Sequence, residues 1–393
     1  MQEVIYKFLQ TYFVYTTAYT ALYSIASHFY RSKKSCARPS QYQRIAILIP
    51  VYLENEVILQ SVKYIHQQSY PSKFYDVFVL ADSLDVKTLD KLREQNIHIV
   101  EIDFEQRTKA KAISKGLCYI QTQNSYEITV ILDADNVMDK DFLFIVSQAY
   151  ASGNMAIQGQ RVAKNKNNNI AILDGISEAV NNAIFRKGYQ ALGLSAPVIG
   201  SGMAFNTHLL VSAFQEIDLA SKGEDRELQL EIIKRGHKIH YAEEALVFDE
   251  KVDNKQTFGQ QRKRWILNQF ISLIKSFPSS VKQLLHGNLS YFNIAFLSAI
   301  QLPRIINIGL FSLWVLLLWL FNRSTGFTIV TFGLYLLSII IAVPRGYYTK
   351  STLLALTRLP QTFGIMLLSL FNARQANKQY IHTSHSTKHE IEL

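Results

Sequence analysis

Hydrophobic positions fall into three regimes along the chain. From Val4 to Tyr30 they run almost unbroken, with Lys7 the single charge, a length sufficient for a hydrocarbon core that needs ~20 residues. The stretch has neither a basic start nor a small-residue cleavage site, so it reads as an anchor rather than a signal peptide. Between Gln43 and Phe248 the pattern changes to short β-branched runs, Ile45–Ile49, Val77–Leu80, Ile97–Val100 and Ile128–Leu132, separated by stretches of helical periodicity. Such alternation predicts βαβ units, an α/β class with a mostly parallel central sheet. Ligands in that architecture bind beyond the carboxyl ends of the strands. The chain places Pro50 and Tyr52, Asp82, and Asp133 and Asp135 at those ends.

The third regime begins at Gln256. Up to Gly287, Phe258, Trp265, Ile266, Phe270 and Ile274 recur near helical spacing among basic residues, the pattern of either an interfacial amphipathic helix or a core-packing one. Two apolar stretches, Ile305–Phe321 and Phe327–Val343, then predict membrane spans. A third, Leu353–Phe371, contains Arg358 and Pro360, and a charge inside a span costs ~2.5–3.5 kcal/mol, so this stretch lies in the interface, re-enters or crosses. The expected organisation is an anchor over 1–38, an α/β domain over 39–255, amphipathic helices over 256–290, transmembrane or interfacial helices over 291–372 and a polar tail over 373–393. The asparagine-rich run Lys164–Asn169 reads as an exposed loop.

Composition refines that division. Hydrophobic residues make up 48% of the 393 positions and charged residues 18%, too many charges for a wholly lipid-immersed chain and too few for a disordered one. The formal charge is +10, with basic clusters at Arg31–Arg38 and Arg262–Arg264 beside apolar segments. Basic residues flanking spans favour a membrane surface over nucleic acid and place the α/β domain in the cytosol. Two cysteines, Cys36 and Cys118, imply neither a disulfide framework nor a cysteine metal site.

Candidate chemistry gathers at the strand ends. Asp133-Ala134-Asp135 can address one divalent cation that neutralises a diphosphate, although the same triplet occurs in solvated turns. Lys109, in Arg107-Thr108-Lys109, stands near a helix start that favours phosphate. A solvated basic turn is the alternative. Gly200-Ser201-Gly202 lets backbone approach a ligand. Glu224 and Asp225 are either catalytic carboxylates or capping acids of the helix they open. Gln261, Arg264 and Trp265 combine a cation with an aromatic face, suited to a sugar beside a phosphate.

The order Asp82, Asp133-x-Asp135, Glu224-Asp225, Gln261-x-x-Arg264-Trp265, between an N-terminal anchor and C-terminal spans, resembles the family 2 glycosyltransferases. The likeness is to the membrane-embedded branch that holds cellulose, chitin and hyaluronan synthases and the nodulation-type N-acetylglucosaminyltransferases. It covers about Gln43 to Trp265. The resemblance implies a GT-A fold and an inverting enzyme of polysaccharide synthesis that takes a UDP-sugar donor, a glycan or lipid-linked acceptor and Mg²⁺ or Mn²⁺, at a bacterial plasma membrane with its catalytic domain cytosolic. It implies a donor site of Pro50, Tyr52, Glu54, Asp82, Lys109, Asp133 and Arg264, metal ligands Asp133 and Asp135, and a catalytic pair Glu224 and Asp225 with Asp225 as general base. Gly200, Ser201, Gly202, Gln261 and Trp265 would face the acceptor. Departures are Ser114 in place of a frequent asparagine, and Gly223 where cellulose synthases carry threonine. Tyr380–His385 resembles the gating loop of the polymer synthases but puts histidine at its basic position; a metal-binding tail with His382, His385 and His389, or an unstructured one, are the other readings. A single-sugar transferase on a lipid-linked acceptor and a silent scaffold subunit are the alternative functions.

Overall fold

The structure is a computed structural model that describes residues 2–32, 41–165, 168–221, 223–251, 255–358, 360 and 364. Helix α1 (Gln2–Ser27) precedes strand β1 (Ile45–Tyr52), and α2 (Asn55–Ile65), β2 (Tyr75–Asp82), α3 (Val86–Arg93), β3 (His98–Ile102), α4 (Lys109–Gln123) and β4 (Ile128–Ile131) follow as successive βα units. The short β5 (Val137–Met138), α5 (Phe142–Ala151), β6 (Ala156–Ala163) and α6 (Asn169–Asn181) lead through a π-helical stretch, Asn182–Gly188, into α7 (Tyr189–Ala191). Then come β7 (Met203–Asn206), α8 (Thr207–Phe214), α9 (Glu224–Lys234), β8 (Ile239–Asp249) and the long α10 (Lys255–Leu285). The chain continues with α11 (Leu289–Phe292), α12 (Arg304–Leu320), α13 (Gly326–Ala342) and α14 (Lys350–Leu356).

All eight strands form one sheet, in the order β3-β2-β1-β4-β7-β6-β8-β5. The sheet is mixed: β3, β2, β1 and β4 run parallel, as do β6 and β8, whereas β7 lies antiparallel to both β4 and β6, and β5 antiparallel to β8. The expectation of a mostly parallel sheet therefore holds for β3-β2-β1-β4 and for the β6-β8 pair, and fails at β7 and β5. The reason is the return path from α7, which delivers the chain to the cleft end of the sheet, so that β7 starts there and runs back. That return puts the Gly200–Gly202 loop beside the ends of β1 and β4.

Alternate side chains of each strand enter opposite cores, as the period of two requires. Ala46 and Leu48 of β1 join one core, with α4, α8 and α9. Ile45, Ile47, Ile49 and Val51 join the other, with α2 and α5. Pro50 lies beyond Leu48↔Ile131, the last rung between β1 and β4, where its missing N–H breaks no ladder on that side.

No helix among the described residues is long and apolar enough to cross a membrane, so the multi-pass expectation finds no support there. At 17 residues each, α12 and α13 extend about 26 Å, short of a hydrocarbon core of ~30 Å. In α1 the helix buries Thr16, Thr17, Thr20 and Ser24 against the protein. The Tyr19 and Tyr23 hydroxyls both donate to Asn293 Oδ1, at 3.0 and 3.1 Å. A Cβ on Gly188 would stand 2.3 Å from the Tyr23 carbonyl oxygen, so only glycine allows this approach of α1. Most of the 353–371 stretch and the tail, including the Tyr380–His385 loop and the three histidines, lies outside the described residues.

Candidate active site

A cleft of about 1100 Å³ opens at the carboxyl ends of β1, β2 and β4 and continues to α9 and α10. It lies at the point where the chain, having built β2 and β3 on one side of β1, crosses to β4 on the other, the place where open α/β sheets bind ligands. Pro50, Tyr52, Glu54, Asp82, Lys109, Asp133, Asp135, Gly200, Glu224, Asp225, Arg264 and Trp265 all line it. Residues as far apart in sequence as Pro50 and Trp265 thus share one cavity because strand ends, helix starts and one long helix converge there.

At one end, Asp82 pairs with Arg107 Nε at 3.2 Å and accepts from Ser83 Oγ at 2.9 Å. The Arg107 guanidinium stands 5.5 Å from the centre of the Tyr52 ring, within cation–π range. Leu53 and Ser83, the residues that follow β1 and β2, both have positive φ, 60° and 57°. Two side-chain-bearing residues in the left-handed region are costly and cluster where function demands a fixed backbone. Here they follow Tyr52 and Asp82 directly, and both of those side chains line the cleft.

At the centre stands Lys109, the first residue of α4, after a Thr108 cap whose Oγ1 accepts from Lys111 N at 3.2 Å. Its ammonium donates to Asp133 Oδ1 and to the Gly200 carbonyl, the latter at 2.7 Å. Burial works against that charge, but Asp133, Glu224 and Asp225 outweigh it and raise the lysine pKa above its ordinary value. Gly200 has φ +82°, and a Cβ there would lie 3.6 Å from both Lys109 Nζ and Asp225 Oδ2. The glycine thus supplies a turn that side-chain-bearing residues resist and marks the meeting of the aspartate triplet with the α9 carboxylates.

Glu224 and Asp225 open α9, and Asp225 Oδ1 accepts from Arg226 N at 2.7 Å. Burial pushes the Glu224 carboxyl up to about 7; Lys109 opposes this, while Asp225 and Asp133 add to it. Arg226 turns the other way, its Nε donating to Ser272 Oγ on α10 at 2.6 Å and its Nη2 to the Ile294 carbonyl at 3.2 Å. The acidic pair is thereby fastened to the helix that carries Arg264 and Trp265.

Two predicted site residues stand behind the cleft wall. Ser201 is buried and its Oγ accepts from Asp133 N at 2.9 Å. Gly202, at φ +60°, leaves no room for a Cβ, which would meet Val247 Cγ2 at 2.6 Å. Both shape the loop. The Gln261 side chain lies outside the described residues. Asn165, expected in an exposed loop, is buried: its amide donates to the Lys251 carbonyl at 3.1 Å and its Oδ1 accepts from Lys251 N at 2.7 Å.

Sequence reading missed a buried charged cluster on the cleft's far wall: Arg161, Glu178, Arg186, Asp249 and Lys251. Glu178 accepts from Arg161 at 2.8 Å and from Arg186 at 3.4 Å, and Lys251 Nζ donates to Asp249 Oδ2 at 2.6 Å. The arginines and Lys251 hold both carboxyls below their usual range against the cost of burial. No spacing announces this cluster, since its members come from β6, α6, the π-helical stretch and the end of β8.

Three carboxylates, Asp133, Glu224 and Asp225, act on the one ammonium of Lys109, and Asp135 lines the same cleft. An excess of hard oxygen donors over cations fits Mg²⁺ or Mn²⁺. Among the described residues no three acidic, histidine or cysteine side chains converge on a common point, so the chain would offer an aspartate pair and leave further positions to ligand oxygens.

Known proteins agree with this geometry. The family described as "Glycosyltransferase like family 2" matches residues 43–268. Poly-beta-1,6-N-acetyl-D-glucosamine synthase of Staphylococcus aureus (strain COL) is 23% identical over 289 residues, 70% of this chain and 68% of that protein. The Staphylococcus epidermidis protein of the same name is 23% identical over 290 residues, 71% and 68% of the two chains. Among solved structures, the mannosyltransferase PcManGT from Pyrobaculum calidifontis, in complex with GDP-Man and Mn²⁺, superposes with a TM-score of 0.56 at 16% identity, covering 94% of this chain and 97% of that one. The fold is that of the GT-A glycosyltransferases, and the chain belongs to glycosyltransferase family 2.

Proposed function

We propose that the protein is an inverting transferase that moves a sugar from a UDP-sugar to a glycan or lipid-linked acceptor in polysaccharide synthesis. The observation that carries this reading is the meeting of Asp133, Lys109, Gly200 and Asp225 in one cleft. Tyr52, Asp82 and Arg107 would bind the nucleoside, and Lys109 and Arg264 would face the diphosphate. Asp133 and Asp135 would hold a divalent cation, which supplies Lewis-acid neutralisation of the leaving diphosphate. Asp225 takes the proton of the acceptor hydroxyl as its oxygen bonds to the anomeric carbon and the bond to the diphosphate breaks. A single displacement of that kind inverts the centre and requires no covalent nucleophile. Lys109 stays charged throughout and stabilises the growing negative charge.

We place the protein at a bilayer surface. Leu313, Leu316, Trp319 and Leu320 on α12 and Phe327, Val330, Leu334 and Leu337 on α13 are exposed, and large apolar side chains left open on two neighbouring helices suit contact with lipid. Lipid contact there would suit an acceptor delivered at a membrane.

The test is nucleotide release by purified protein with Mn²⁺ or Mg²⁺ across a panel of UDP- and GDP-sugars, with products sized by mass. Release from a UDP-sugar, abolished in Asp225→Asn, is expected. Release from GDP-sugars alone would overturn the donor assignment, and full activity in Asp225→Asn would overturn the base. A ladder of products marks a polymerising enzyme and one added sugar a single-step transferase.

A further inference from the structure

The residue that follows the aspartate triplet, Asn136, is 1% exposed. Its backbone N–H closes the turn on the Asp133 carbonyl at 3.1 Å. Its side-chain Nδ2 lies between two carboxylates, 3.2 Å from Asp135 Oδ1 and 3.1 Å from Asp249 Oδ1, while its Oδ1 is buried without a hydrogen bond. The amide cannot be turned round, because that would set its oxygen against both carboxylates. A buried acceptor left without a donor is rare and calls for a reason. The reason here is at the other end of the same amide, where one NH₂ group ties two anions together.

Asp249 is itself immobilised. Its Oδ2 accepts from Lys251 Nζ at 2.6 Å, with Arg161 Nε at 3.8 Å, so its Oδ1 is presented to Asn136. The Val137↔Phe248 pairing of β5 with β8 holds the two residues side by side. A continuous chain of contacts therefore runs from the buried cluster through Asp249 and Asn136 to Asp135.

We propose that Asn136 and Asp249 are positioning residues for the cation site: Asn136, held by Asp249, fixes the Asp135 carboxylate in the orientation that receives a divalent cation. The inference rests on the assignment of Asp133 and Asp135 as metal ligands. Partners of that kind commonly change metal affinity by about 10- to 100-fold when removed. They do so without touching the ion, by replacing one held rotamer with several.

The experiment titrates Mn²⁺ alone into the purified protein and reads free Mn²⁺ by electron paramagnetic resonance, with a thermal melt recorded for each variant. Asn136→Ala and Asp249→Ala are each expected to weaken Mn²⁺ binding at least 10-fold. Asp249→Asn, which keeps an oxygen for Asn136 but loses the charge facing Lys251, is expected to recover most of the affinity while melting below the parent. Arg186→Met, equally buried but joined to Asp249 only through Glu178 and its partners, is expected to lower the melting temperature and leave Mn²⁺ affinity unchanged. Parent-like Mn²⁺ binding in Asn136→Ala would overturn the inference, as would affinity that simply follows melting temperature across the four variants. Asp135→Ala separates the two levels: if it binds Mn²⁺ like the parent, the metal-ligand assignment itself falls; if it loses binding and Asn136→Ala does not, only the positioning role falls.

Discussion

Lys109 donates to Asp133 across a separation of 24 residues and, with the same ammonium, to the Gly200 carbonyl at 2.7 Å. One cation thus joins the start of α4, the aspartate turn after β4 and the loop that feeds β7. Lys109→Met leaves Asp133, Glu224 and Asp225 facing one another without a counter-charge. Nucleotide release is expected to fall by about 100-fold or more, the usual cost of deleting one preorganised electrostatic donor. Steady-state kinetics at saturating donor check it.

Glu224 gives a pH signature. Its carboxyl is raised from 4.5 to about 7 in the folded chain, so the folded state holds its proton more tightly than the unfolded one. The stability this group contributes is complete below pH 4.5 and is lost as pH rises towards 7, at up to about 1.4 kcal/mol per pH unit. Glu224→Gln keeps the neutral shape and removes the titration. Urea unfolding at pH 5 and pH 8 should show the variant gaining on the parent at the higher pH; parallel behaviour would refute the assignment.

Gly188 is predicted to tolerate no side chain. A methyl group there would sit 2.3 Å from the Tyr23 carbonyl oxygen, and neither backbone can yield without moving a helix. Gly188→Ala should cost about 1–3 kcal/mol, read by urea unfolding, and should make the link between α1 and β1 more susceptible to limited proteolysis.

Arg226 binds α9 to α10 through the Ser272 hydroxyl and to the stretch after α11 through the Ile294 carbonyl. Arg226→Ala should reduce stability by about 2–3 kcal/mol, since charged donors to buried acceptors are among the stronger hydrogen bonds. Arg226→Lys should not restore it, because a lysine cannot address two acceptors with the geometry of a fork. Chemical denaturation of the two variants side by side is the check.

Much of the strand-end half of the cleft was legible in the sequence. The runs Ile45–Ile49, Val77–Leu80 and Ile128–Leu132 fall within or against β1, β2 and β4, because buried parallel strands are uninterrupted β-branched segments. The strand ends then placed Tyr52, Asp82, Asp133 and Asp135 together. The second half of the sheet was not legible: β6 carries Gln158, Gln160 and Arg161, and β8 carries Glu243 and Glu244, polar content that hides a strand facing a cleft. Asn165 was misread because its burial depends on Lys251, 86 positions away. The apolar stretches at both ends were legible as helices, but periodicity does not show that the Thr16, Thr20 and Ser24 side of α1 packs on protein.

The fit of α1 at Gly188 has a practical corollary for anyone isolating the transferase domain. Tyr19 and Tyr23 belong to the same core as Leu48, Phe78 and Phe205, and their hydroxyls share a single acceptor on Asn293. Cutting the chain ahead of β1 would strip aromatic walls from the catalytic half and leave that asparagine without either phenol. The first helix is therefore an internal strut, and an active fragment is expected to need Tyr19 and Tyr23.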